Sequence, residues 1–132
     1  MATRIEAVQA YRPRIIPGTT VQKRELVKLL SSRTGINESE AYAVLTELRD
    51  ALIFYALSGR AVRLDGLGTY RPSMKVNGKI NLSHRIDENI RSAINVSRDF
   101  RGEVRFKENI GKTSAELIAL WNEDHPDDPV EL

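Results

Sequence analysis

The stretch from Ala61 to Pro72 constrains this chain more than any other. It reads as a strand, a tight turn at Gly66–Gly68 and a second strand, with Arg63 and Arg71 threaded through it. Glycine takes positive φ at little steric cost, so the backbone is free to reverse there. Asn77-Gly78 then supplies the strongest short-range hairpin signal and favours a two-residue type I′ turn. That turn would pair residues 70–76 with 79–85, setting Val76 opposite Lys79 and Arg71 opposite His84. In this register Ile80 and Leu82 share a side with Lys75 and Arg71, so neither face of the ribbon is expected to be cleanly apolar. Pro72 predicts an edge position or a bulge.

Two helices are expected before the ribbon. In residues 23–34, Leu26, Leu29 and Leu30 recur at helical spacing, and Gly35 is placed to end the helix. Asn37 is an N-cap, with Glu40 at the capping-box position. Ala41, Val44, Leu45, Leu48, Leu52 and Tyr55 follow at helical spacing up to Ser58-Gly59. Ala51, Ile53, Phe54, Ala56 and Leu57 widen that apolar face. A helix apolar on most sides needs two surfaces to bury against, and the second is expected from another subunit. After the ribbon, residues 87–95 read as a short helix capped by Asp87.

The flanks are less regular. Residues 4–11 alternate loosely and are read as a possible strand, broken by Pro13 and Pro17-Gly18. Residues 102–106 alternate as a strand. A last helix, residues 115–123, is capped by Thr113 or Ser114 and carries Leu117, Leu120 and Trp121 on one side, with Trp121 as a docking anchor. The tail from His125, acidic and broken by prolines, is expected to be mobile.

Charge is unevenly spread along the 132 residues. Residues 1–95 hold 15 Lys+Arg and 9 Asp+Glu, whereas residues 96–132 hold 5 and 9. Between 60 and 85 stand six bases and one acid, Asp65; the last twenty residues contain six acids and no Lys or Arg. A basic ribbon with an acidic tail points to a polyanionic partner, with the tail as a competitor for the same bases. There is no cysteine, so disulfides and thiolate chemistry are excluded. No apolar run approaches a membrane span or a signal core, so a cytoplasmic protein without membrane contact is expected. Gly111-Lys112-Thr113 lacks the glycine a phosphate-binding loop needs five positions earlier, where Phe106 stands. His84 and His125 are not in metal-ligand spacing. The chain is therefore expected to be no enzyme, to hold no metal and to need no cofactor.

Residues 20–95 resemble the HU/IHF family of bacterial nucleoid DNA-binding proteins. Lys23-Arg24-Glu25-Leu26-Val27 resembles the start of the family's first helix, and residues 34–41 resemble its turn into the second. Residues 60–70 are similar to its strand–turn–strand signature, and residues 86–95 to its final strand and helix. The resemblance implies an α+β, IHF-like fold: two N-terminal helices, a three-stranded antiparallel β-saddle with a hairpin arm, and a short helix. It implies an intertwined homodimer that binds double-stranded DNA with little sequence specificity, in a nucleoid-associated, DNA-condensing role. The candidate DNA contacts are Arg60, Arg63, Arg71, Lys75, Lys79, His84 and Arg85, with Gly66, Gly68 and Gly78 as turn glycines.

The chain departs from that family at the arm. Family arms are long and carry a proline near the tip that wedges between base pairs. Here Asn77-Gly78 closes the hairpin early, and Pro72 lies at its base. Residues 1–19 and 96–132 stand outside the resemblance as flanking extensions, the second offering a surface for a protein partner. The competing expectation is thus a protein–protein interaction module that keeps the dimer fold and has lost DNA bending.

Overall fold

The computed structural model describes residues 1–96 and 100–132; residues 97–99, inside the expected C-terminal extension, lie outside the described residues. The chain divides into two compact units, Val21–Phe100 and a second made of Met1–Thr20 with Arg101–Leu132. No helix among the described residues is long and apolar enough to cross a membrane.

The first unit runs helix, helix, three strands, helix. Helix α2 (Lys23–Thr34) ends on Gly35, whose φ of 77° takes the left-handed cap. Helix α3 (Glu38–Leu57) starts at Asn37, whose side chain accepts from the Glu40 N–H at 2.8 Å. Strands β2 (Val62–Leu64), β3 (Gly68–Met74) and β4 (Ile80–Ile86) form one antiparallel sheet in the order β2-β3-β4. Helix α4 (Glu88–Val96) follows directly. This is the α+β arrangement that the resemblance implies. Its core is small: Val27 and Ala41 are its buried hydrophobic residues among those described, while Phe54 and Leu57 of α3 are 66% and 75% exposed.

The second unit joins the two ends of the chain, which the sequence presented as separate extensions. Helix α1 (Arg4–Tyr11) packs on α5 (Ser114–Asp124), and strand β1 (Arg14–Ile16) pairs antiparallel with β5 (Glu103–Arg105). The strand expected within 4–11 is thus a helix, and the strand of that region comes after Pro13. A reciprocal cap overrides the loose alternation. The Thr3 hydroxyl accepts from the Glu6 N–H while the Glu6 carboxylate accepts from the Thr3 N–H. That bond and the one from the Thr3 hydroxyl hold the Glu6 carboxyl below the usual carboxylate range. Thr113 and Glu116 cap α5 in the same way.

The tail beyond α5 is folded back, against the expectation of mobility. Val130 is buried with Ala7 and Ile118, and Trp121 packs against them. The Asn122 side chain donates to the Val130 carbonyl at 2.9 Å and accepts from its N–H at 2.7 Å. The Trp121 indole N–H donates to the Asp128 carbonyl at 2.9 Å, and its ring stacks on His125 at 3.8 Å. One apolar anchor and three satisfied backbone groups hold the segment without regular structure.

Candidate nucleic-acid interface

The site is the β2-β3-β4 sheet, and its chemistry follows from register. Met74 pairs with Ile80, Pro72 with Leu82, Arg71 with Ser83, Tyr70 with His84 and Thr69 with Arg85. This is one residue away from the pairing that a two-residue Asn77-Gly78 turn would set. The loop has three residues, Val76-Asn77-Gly78. The Gly78 N–H donates to the Lys75 carbonyl, and the Lys75 N–H to the Lys79 carbonyl, each at 2.9 Å. Gly78 is left-handed at φ 84°, and Asn77 is not among the positive-φ residues. A type I turn closed by one left-handed glycine is the usual three-residue hairpin, whereas type I′ needs two left-handed residues. The Asn77 side chain accepts from the Lys79 N–H at 3.0 Å and steadies the loop.

A one-residue shift in register moves every side chain of a strand to the other face relative to its partner. Tyr70, Pro72 and Met74 therefore lie with Ile80, Leu82 and Ile86, and Val62 and Leu64 join them through β2. Thr69, Arg71 and Ser73 lie with Asn81, Ser83 and Arg85 on the opposite face. Arg63 joins that face through its pairing with Thr69, and Lys75 and Lys79 continue it into the turn. The mixed faces expected from the tighter turn resolve into one apolar face and one carrying Arg63, Arg71 and Arg85 within the strands, with Lys75 and Lys79 beyond them and no acid among the strand residues.

The basic face is hollowed at its base. Arg63, Arg71 and Arg85 line an open concavity of about 610 Å³ together with Thr69, Ser83, Asp87 and Glu88. Arg63 makes an exposed ion pair with Asp65 at 3.3 Å, which in water contributes little. Arg71, Lys75, Lys79 and Arg85 have no ion-pair partner among the described residues. Asp87 fixes the turn beneath them. Its carboxylate accepts from the Gly66 N–H at 3.1 Å and from the Asn89 N–H at 2.8 Å, tying the glycine turn to the start of α4. The expected cap is there; the tie to Gly66, 21 residues away, carries no local sequence signal.

Five of the seven candidate contacts share this face: Arg63, Arg71, Lys75, Lys79 and Arg85. His84 stands on the apolar face, its ring 4.5 Å from that of Tyr70. Arg60 precedes the sheet and lies over the Tyr55 ring at 5.3 Å. Of the turn glycines, Gly68 is there for space as well as turning: a Cβ would meet the Arg85 carbonyl oxygen and His84 Nε2 at 2.5 Å each. Thr69, Ser73, Asn81 and Ser83 escaped the sequence reading because only the register places them among the bases.

The comparison with curated proteins returns no match. Among solved structures, an HU mutant from Thermotoga maritima is similar with a TM-score of 0.49 and 11% identity, over 56% of this chain and 99% of that one. An Anabaena HU–DNA cocrystal structure is similar with a TM-score of 0.47 and 20% identity, over 56% of this chain and 97% of that one. The model of the HU-HIG family, described as "HU domain fused to wHTH, Ig, or Glycine-rich motif", matches residues 2–116. With most of its length matched, including the whole three-stranded sheet and its basic face, the chain belongs to the HU-HIG family.

Proposed function

We propose that this protein binds double-stranded DNA as a homodimer of HU type, without catalysis, in an architectural, nucleoid-associated role with little sequence preference. The observation that carries this reading is the sorted sheet: five bases gathered on one face and its turn, four of them without an ion-pair partner among the described residues, and apolar residues on the other face. Phosphate neutralisation supplies most of the affinity, because each contact releases counterions. Arg63, Arg71 and Arg85 suit a narrow minor groove, whose negative potential attracts arginine. A dimer presents ten such bases. If half of them meet phosphate, the salt slope is roughly −4.5 and affinity falls roughly five-hundredfold between about 50 and 200 mM salt.

The dimer is supported by apolar surface that one protomer leaves open. Phe54 and Leu57 of α3 and Met74, Ile80 and Leu82 of the sheet are all exposed. Ala56, Leu57, Pro72, Met74 and Ile80 line one depression between the end of α3 and the hairpin. Contiguous apolar surface of this kind marks an association site.

Fluorescence anisotropy with a labelled duplex at two salt concentrations tests the reading. Steep salt dependence is expected, together with weaker binding when Arg71, Lys75 and Lys79 are all changed to Ala. Unchanged affinity in the triple variant would move the function to a protein–protein module.

A further inference from the structure

We propose that the second unit carries its own contact for a DNA phosphate, centred on Arg14, Arg105 and Phe106. Three features converge there. Arg14 lies directly opposite Arg105 across the β1–β5 ladder. Like charges directly opposite one another on a sheet repel, so the pair weakens a ladder only three residues long. Both guanidinium groups also lie near one ring, Phe106, with their central carbons 5.8 Å and 5.0 Å from its centroid. Neither arginine has an ion-pair partner among the described residues. Glu103 shares their side of β5 by strand alternation and pairs with Ile16 instead.

Phe106 adds strain. At φ 58° and ψ 40° it is the one non-glycine residue with positive φ among the described residues. A left-handed conformation brings the Cβ of a residue with a side chain too close to its own backbone. Surrounding structure enforces it. Tyr11 packs against the Phe106 ring at 5.7 Å, and its hydroxyl donates to the Asp124 carboxylate. Buried Asn109, in the helical turn Lys107–Asn109, donates to the Tyr11 carbonyl at 2.7 Å. Strain of this kind persists only where the surrounding structure over-determines it, and it gathers at ligand-binding sites. Two guanidinium groups gathered at one ring supply the donors of a cradle for a single oxyanion.

A phosphodiester of duplex DNA fits this cradle, since it brings one charge to two donors. The inference rests on the reading of this protein as one that binds duplex DNA. Full-length wild type, Arg14→Ala/Arg105→Ala and Arg71→Ala/Arg85→Ala are titrated with duplex across a salt series. Circular dichroism checks that each variant folds. Counted per protomer, losing the one phosphate of the cradle flattens the salt slope by about 0.9, so the loss of affinity between about 50 and 200 mM salt shrinks about 3.5-fold; losing two separate sheet contacts flattens it by about 1.8, or about twelvefold. That flattening in both variants is the expected result. Flattening in the sheet variant alone overturns this inference and leaves the sheet reading standing; flattening in neither overturns both. Flattening in Arg14→Ala/Arg105→Ala alone supports the cradle and removes the sheet reading.

The source of the phosphate is checked on wild type by following the Phe106 ring resonances. They should shift with substoichiometric duplex and stay unchanged in the same concentration of inorganic phosphate. A response to inorganic phosphate with none to duplex replaces the DNA contact by a small-anion site. Phe106→Gly relieves the strain and removes the ring. It is expected to keep the fold and weaken duplex binding; undiminished binding removes Phe106 from the site.

Discussion

Gly68 shows how little room a single position leaves. Its missing Cβ is what lets the Arg85 backbone and the His84 ring approach. Gly68→Ala is expected to cost about 1–3 kcal/mol, because one obstacle is backbone and cannot rotate away; a urea melt indistinguishable from wild type would refute this. Tyr11 is the residue whose titration reports on the second unit. The hydrogen bond to Asp124, with burial and the Asp124 charge adding to it, pushes its phenol up to about 12 from 10.0. A raised phenol favours the protonated form in the folded state. The stability it contributes is therefore fully present below pH 10 and is lost as pH rises towards 12. The difference between ultraviolet titrations of wild type and Tyr11→Phe should be centred near pH 12, and a midpoint near 10 would break the link to Asp124. Neither the close approach at Gly68 nor the Tyr11–Asp124 bond, 113 residues apart in sequence, has a local signature.

At the scale of elements, the hairpin matters most. The strands and their turns were legible because the glycines at 66 and 68 and the Asn77-Gly78 dipeptide mark where the chain reverses. The pairing was not, because the same dipeptide serves two-residue and three-residue loops, and these differ by one residue of register. Gly78→Ala is expected to destabilise by roughly 1–2 kcal/mol, since alanine is poorly tolerated in the left-handed conformation. Asn77→Gly separates the two turns. In the three-residue loop it forfeits a side-chain bond and gains nothing, so thermal stability should fall slightly; a clear rise would favour a loop with two left-handed residues. Cross-strand nuclear Overhauser contacts from Arg71 to Ser83, and not to His84, check the register directly. The cap of α1 shows the opposite case. Thr3 and Glu6 stand in the spacing of a capping box, and that signal outweighs alternation in a segment as short as Arg4–Tyr11.

At the scale of the whole molecule, large apolar side chains of α3 and the sheet, Phe54, Leu57, Met74 and Ile80 among them, stand exposed. Leu57→Asp on α3 is expected to leave the secondary structure intact and shift the protein to monomer in analytical ultracentrifugation. An unchanged sedimentation coefficient would place the association surface elsewhere. Removing residues 125–132 deletes Val130 from the second unit's core and takes away the hydrogen-bonding partner of Asn122. A clear drop in melting temperature is therefore expected, on the scale of about 1–3 kcal/mol for losing one buried apolar side chain and its neighbours. Free competition by a mobile acidic tail predicts tighter DNA binding at low salt with no change in melting, and that outcome would contradict the folded-back tail.

The two helices before the ribbon with their glycine and asparagine caps, the strand–turn–strand segment and the excess of bases in residues 60–85 were all written in local sequence. Each depends on spacings of a few residues, set by backbone geometry alone. Which bases share a face was decided only when the sheet formed, because a single residue of register exchanges the two faces. The union of the chain's two ends, the folded tail and the Arg14–Phe106–Arg105 cradle likewise came from tertiary structure. They join residues distant along the chain, whose proximity depends on the contacts of the folded unit rather than on the conformational preferences of neighbours.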